Sequence, residues 1–115
     1  MSELAKCWTR EIRKARKAHK CCECRGEIKP GELYEYFSGI WDYPETFKTC
    51  LECAELRADA DKGQPWDEKT PFTCLGETVF ESREPDLMRR YIETKDKRGA
   101  QVSDWMRTAL TDATT

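Results

Sequence analysis

Histidine is nearly absent from this chain of 115 residues: His19 is the only one. That scarcity argues against serine–histidine or cysteine–histidine catalysis, which needs an imidazole placed against the nucleophile. Long apolar runs are absent too. None approaches the ~20 residues needed to span a bilayer, and the opening MSELAKCWTREIRKARKAHK lacks a stretch like the core of a signal peptide. No internal repeat or low-complexity tract is visible. The expected setting is a reducing cytosol, where paired cysteines more often hold metal than form disulfides. The seven cysteines, an odd number, also argue against a closed disulfide framework. Apolar residues make up 38% and charged residues 37% of the chain. That balance fits one domain, or one small domain with an appendage, around a lean core that a metal staple would support.

Charge is present but unevenly spread. The net −2 resolves into +5 over residues 1–30, −8 over 31–85 and +1 over 86–115. A basic N-terminal segment followed by an acidic body is the main electrostatic feature. Leu4, Trp8, Ile12, Ala15 and His19 recur at helical spacing, which predicts an amphipathic helix within residues 1–20. Arg10, Arg13, Lys14, Arg16, Lys17 and Lys20 fall mainly on its remaining surface. They are the candidate contacts to nucleic acid or a partner, set against the plainer reading of a solvated face over a packed stripe.

The cysteine spacing carries the strongest chemical signal. Two CxxC pairs, Cys21/Cys24 and Cys50/Cys53, are separated by 25 residues. Each CxxC turn aims two thiolates at one point, and two turns complete a tetrahedral four-sulfur site. One structural zinc ion is the expected occupant, with iron the minor alternative on the same ligands. Cys22 adjoins Cys21, so a Cys22/Cys24 pairing is conceivable, but the two-residue spacing closes the better turn. His19 is close enough to serve as a substitute ligand, or to pack beside the site.

The residues around these pairs predict the architecture. Gly26 is placed where a knuckle needs a positive φ. Lys29-Pro30-Gly31-Glu32 reads as a turn, Leu33–Ser38 as a strand continuing through Ile40-Trp41, Asp42-Tyr43-Pro44 as a turn, and Thr46–Thr49 as a return strand. Leu51 to Lys62 is helix-forming, with Leu51, Ala54 or Glu55, and Ala58 at helical spacing, and it stops at Gly63. Knuckle, hairpin and a helix carrying the second ligand pair give the order of a treble clef. The expected fold class is therefore α+β: a treble-clef zinc module over residues 21–62, after the N-terminal helix and before a loop and C-terminal helices over 63–115.

In this region the chain resembles short proteins of bacteriophages and prophages. The shared outline is Cys21/Cys24, Ile28-Gly31-Glu32-Tyr34, Gly39-Trp41-Asp42 and Cys50/Cys53, covering about 40 residues. The resemblance implies a phage-encoded accessory protein in the cytoplasm of a bacterial host cell. Such proteins often bind and redirect or inhibit host machinery, including defence complexes.

The second half of the chain is plainer. Gly63, Pro65 and Pro71 mark a loop that Trp66 and Phe72 would pin to the core. Phe72 to Ser82 is ambiguous between strand and helix. Pro85 suits the first turn of a helix with Leu87, Met88, Tyr91 and Ile92 on its apolar face. Ser103 would cap a last helix with Val102, Trp105, Met106, Ala109 and Leu110 on one side. That stripe would pack on the rest, or else be an exposed partner or dimer surface. Cys7 and Cys74 read as small buried hydrophobes.

These features favour a non-enzymatic structural-zinc protein that docks on a host protein or nucleoprotein complex. The alternative is a direct nucleic-acid-binding or transcription-regulatory zinc finger using the basic N-terminal helix. The helix after Cys50, with Glu52, Glu55, Asp59 and Asp61 against Arg57 and Lys62, would repel phosphate, so GATA-like groove reading by it is disfavoured. Arg89, Arg90, Lys95, Lys97 and Arg98 are further candidate contacts. Catalysis is not expected: HNH-type nucleases place a histidine in the hairpin, and here there is none. Neither a membrane nor a small-molecule substrate is expected as a partner.

Overall fold

The computed structural model describes residues 7–40, 44–62, 64 and 72–114, with the side chains of Cys7 and Trp8 left out. Leu4, Trp41, Asp42, Tyr43 and Trp66 lie outside the described residues. The fold is α+β, with a small antiparallel sheet and four helices among the described residues.

The N-terminal basic segment is not a helix. Cys7–Lys14 forms strand β1, and His19–Lys20 forms the short strand β2. Thr9 to Lys14 are all exposed, so neither face of this part of β1 is buried. The period-2 apolar pattern that marks a strand is therefore missing, and a few apolar residues spaced by three and four simulate a helical stripe. What decides the conformation is non-local. Leu33–Ile40 forms strand β4 and pairs with β1 antiparallel, from Cys7 opposite Ile40 to Lys14 opposite Leu33.

Between β1 and β4, Glu27–Ile28 forms strand β3, which pairs with β2 to make a two-stranded ribbon enclosing Cys21 to Gly26. Pro44–Cys50 forms strand β5, antiparallel to β4 with Tyr34 opposite Cys50. The three-stranded sheet runs β1-β4-β5. The chain then turns directly from β5 into helix α1, Leu51–Ala60. The buried residues of α1 are Cys53 and Leu56 rather than the predicted Leu51/Ala58 stripe. The metal-ligand position and one leucine set which side faces inward.

Helix α2 spans Leu75–Ser82, which resolves the ambiguous stretch in favour of helix. Helix α3, Pro85–Lys97, begins at its proline and buries Met88, Tyr91 and Ile92 as the sequence predicts, but also Thr94 and Lys95. Helix α4, Asp104–Thr114, has no fully buried residue; Met106, Ala109 and Leu110 pack half-buried on the core. Phe72 stacks on Phe47, with centroids 4.3 Å apart and planes 5° apart, and also touches Phe37 at 4.8 Å.

The core is built around the cysteines. Cys21, Cys24, Cys50 and Cys53 are fully buried, and Ile28, Leu56, Leu75, Val79 and Met88 enclose them. Among the described residues no helix is long and apolar enough to cross a membrane.

Candidate metal centre and basic surface

The four cysteines arrive from three elements. Cys21 follows β2, Cys24 sits in the tight turn of the ribbon, Cys50 ends β5, and Cys53 lies in the first turn of α1. The turn is closed by the Cys21 N–H on the Gly26 carbonyl (2.9 Å) and the Arg25 N–H on the Cys21 carbonyl (3.1 Å). The positive φ falls on Arg25, at 66°, not on Gly26 as the sequence predicts. Gly26 is required for a different reason: a Cβ there would lie 2.3 Å from the Arg98 Cβ and 3.3 Å from the Cys24 sulfur. The space is taken by the end of α3.

All four sulfurs lie within 4.8 Å of one another, and those of Cys24 and Cys50 are 4.0 Å apart. A tetrahedral ion with metal–sulfur bonds of about 2.3 Å requires sulfurs about 3.8 Å apart, so the donor set and spacing fit a metal ion and are compatible with a structural zinc. Backbone N–H groups already point at sulfur, from Glu23 and Cys50 to Cys21 and from Gly26 to Cys24, each at 3.4 Å. Four thiols this close cannot all ionise by themselves. Hydrogen bonds from Cys24 and the other two hold Cys21 well below the usual thiol range, while hydrogen bonding with Cys21 pushes Cys50 and Cys53 far up. A divalent cation removes that conflict by charging all four at once. His19 and Cys22 are not in the cluster. His19 lies 5.3 Å from the Tyr34 ring, and the Cys22 sulfur is 3.4 Å from the Thr49 hydroxyl. Cys74 is half-buried at the start of α2.

No family model, curated protein or solved structure matches the chain.

A polar layer around the knuckle was not legible in the sequence. The Glu23 side chain, fully buried, accepts the N–H groups of Thr73 (2.9 Å) and Leu75 (3.0 Å) and pairs with Arg57. A residue read as a CxxC spacer thus caps α2 from 52 positions away. From α3, Tyr91, Lys95 and Arg98 form one polar-tipped stripe that donates to backbone carbonyls of the ribbon. Tyr91 reaches Glu23, Lys95 reaches Cys24 and Arg98 reaches Glu27, each at 2.9 Å. Burial pushes the Tyr91 hydroxyl well above its ordinary value, keeping it a donor. Arg98 also bridges Glu32 and Glu52. Burial opposes ionisation of Glu52, but Lys97 and Arg98 outweigh it and hold the carboxyl down at about 2.

This layer takes Lys95 and Arg98 out of the second basic candidate set, while Arg89, Arg90 and Lys97 keep contact with solvent. Lys95 and Arg98 are buried structural cations, Lys97 pairs with Glu52, Arg89 with Asp86, and Arg90 with Asp59 and Asp86.

The first basic set stays exposed but is dispersed by the strand. Arg10 pairs with Glu35 at 2.6 Å, and Arg13, on the opposite face, lies 3.7 Å above the Tyr36 ring and pairs with Glu11. Arg13, Lys14, Arg16 and Lys17 come together around a shallow basin of about 1180 Å³ whose other lining residues are Ala15, His19 and Tyr34. Lys20 lies apart, beside Arg25 and Gly99.

Proposed function

We propose that the chain is a non-catalytic docking protein stabilised by one structural zinc in a treble-clef arrangement. The observation that carries this reading is the closure of the four-cysteine cluster. All four ligands are protein sulfurs at 0% exposure, so a tetrahedral ion held there has no open position for water or substrate. Activity then has to come from the outer surfaces. The resemblance to phage and prophage proteins supports an accessory factor in a bacterial cytoplasm that binds and modulates or inhibits a host protein complex, a defence complex included. Trp105, 56% exposed with its ring against Phe80 at 5.0 Å, offers an aromatic anchor of the kind that dominates protein interfaces.

The test is capture from bacterial lysate by the zinc-loaded protein, with and without nuclease, beside Trp105→Ser. The reading expects a discrete host protein that survives nuclease and is lost with Trp105→Ser. Capture abolished by nuclease, or indifferent to Trp105, overturns it.

A further inference from the structure

We infer that the basin between β1 and β2 binds single-stranded nucleic acid, through phosphate contacts from four cations and a stacking contact on Arg13. The chain Arg13-Lys14-Ala15-Arg16-Lys17 is pinned at its centre. Ala15 is buried, its N–H donates to the Glu32 carbonyl and its carbonyl accepts from Gly31, both at 2.8 Å. That anchor fixes the backbone while the cations on either side extend into solvent. Among the described residues lining the basin none is acidic. Among the described residues Lys14, Arg16 and Lys17 meet no carboxylate, while Arg13 pairs with Glu11 along its edge; on α1 and α3 most cations are paired.

The geometry at Arg13 distinguishes nucleic acid from a generic polyanion. Its guanidinium carbon lies 3.7 Å from the centroid of the Tyr36 ring, a stacking distance, and its side chain keeps 43% exposure. A planar cation braced on one face by an aromatic ring presents its other face to a second ring system. Bases stack on arginine planes in this way, but only when unstacked from their own neighbours, as in a single strand. A polyglutamate chain has no ring to place there. A duplex keeps its base faces covered. The basin is distinct from the Trp105 surface, so the site stands or falls independently of protein capture.

The experiment is fluorescence anisotropy of a labelled 12-nucleotide oligothymidylate with zinc-loaded protein, beside a duplex and an oligoglutamate of equal charge. Four single-strand phosphate contacts give a log–log salt slope of about −2.8, so affinity should fall about 50-fold between 50 and 200 mM salt. Lys14→Gln with Lys17→Gln should cut that loss to about 7-fold, by the same slope per contact. Arg13→Lys keeps the charge and loses the plane, so the slope should hold while affinity drops about 10-fold, within the worth of one base stack. Lys62→Gln, at an exposed position that does not line the basin, should change neither, and equal zinc content in every variant verifies folding. The inference is overturned if oligoglutamate or duplex binds as tightly as the single strand, if the double variant keeps the native slope, or if Arg13→Lys binds like the native protein.

Discussion

Glu23→Gln is the substitution whose effect the structure specifies best. The change keeps the shape of a side chain at 0% exposure but replaces a carboxylate that receives three donors, the Thr73 and Leu75 N–H groups and the Arg57 guanidinium. An amide retains one oxygen, and its NH₂ must face at least one of those donors. Hydrogen bonds to a charged acceptor contribute about 1.5–3 kcal/mol each, and removing one member of a buried ion pair costs about 3–5 kcal/mol. A loss of about 3 kcal/mol is expected. With a urea slope of about 1.5 kcal/mol per molar for a chain of this size, the unfolding midpoint of the zinc-loaded protein should fall by about 2 M. Glu27→Gln, two strands' ends away on an exposed position, is the control and should hardly move it. Amide hydrogen exchange adds a local readout: Leu75 should lose protection in Glu23→Gln before Leu56 does. A midpoint shift below about 0.5 M, or one matched by Glu27→Gln, would refute the claim that Glu23 fastens α2 to the knuckle.

Other consequences are equally direct. Cys24→Ser should abolish stoichiometric zinc or cobalt binding, whereas Cys22→Ser should retain one ion per chain, because Cys22 lies outside the sulfur cluster; elemental analysis and the cobalt spectrum decide it. Stripping the metal with a chelator should unfold the knuckle and loosen α3 with it, read by circular dichroism and reversed by zinc, since ion binding supplies folding free energy. Gly26→Ala places a Cβ 2.3 Å from the Arg98 Cβ, and neither atom can rotate away. It should cost about 3 kcal/mol, near the upper range for overpacking, while Gly31→Ala, with φ +90° but open space around it, should cost only about 1 kcal/mol on thermal melting.

How legible the molecule is from its sequence depends on the range of the interaction. The clustering of Cys21, Cys24, Cys50 and Cys53 could be read because CxxC is a local geometric device. So could α3, whose apolar positions recur every turn, and the existence of α1, from its run of helix-forming residues, though not which side of α1 faces inward. The hairpin β4–β5 was legible in its β-forming residues and turn signals. β1 was not, because its partner strand is distant in sequence and Thr9 to Lys14 all meet solvent, leaving no burial pattern to read there. The polar clamp was hidden for another reason. Lys95 and Arg98 have the same chemistry whether they point at phosphate or at a buried carbonyl, and only the fold says which. Gly26 shows the same limit: a glycine's presence was readable, but not that it yields space to Arg98 rather than adopting a positive φ.

The grip of α3 on the ribbon has an evolutionary corollary. Tyr91, Lys95 and Arg98 hold carbonyl oxygens, and every residue at positions 23, 24 and 27 supplies one whatever its side chain. Glu27 projects outward from this ribbon and Lys20 beside it, so their side chains are free of scaffold duty, whereas Arg25, though exposed, must hold a positive φ. Selection can rewrite the Lys20 and Glu27 rim for a new target, one substitution at a time, without loosening the cysteine-centred frame beneath it.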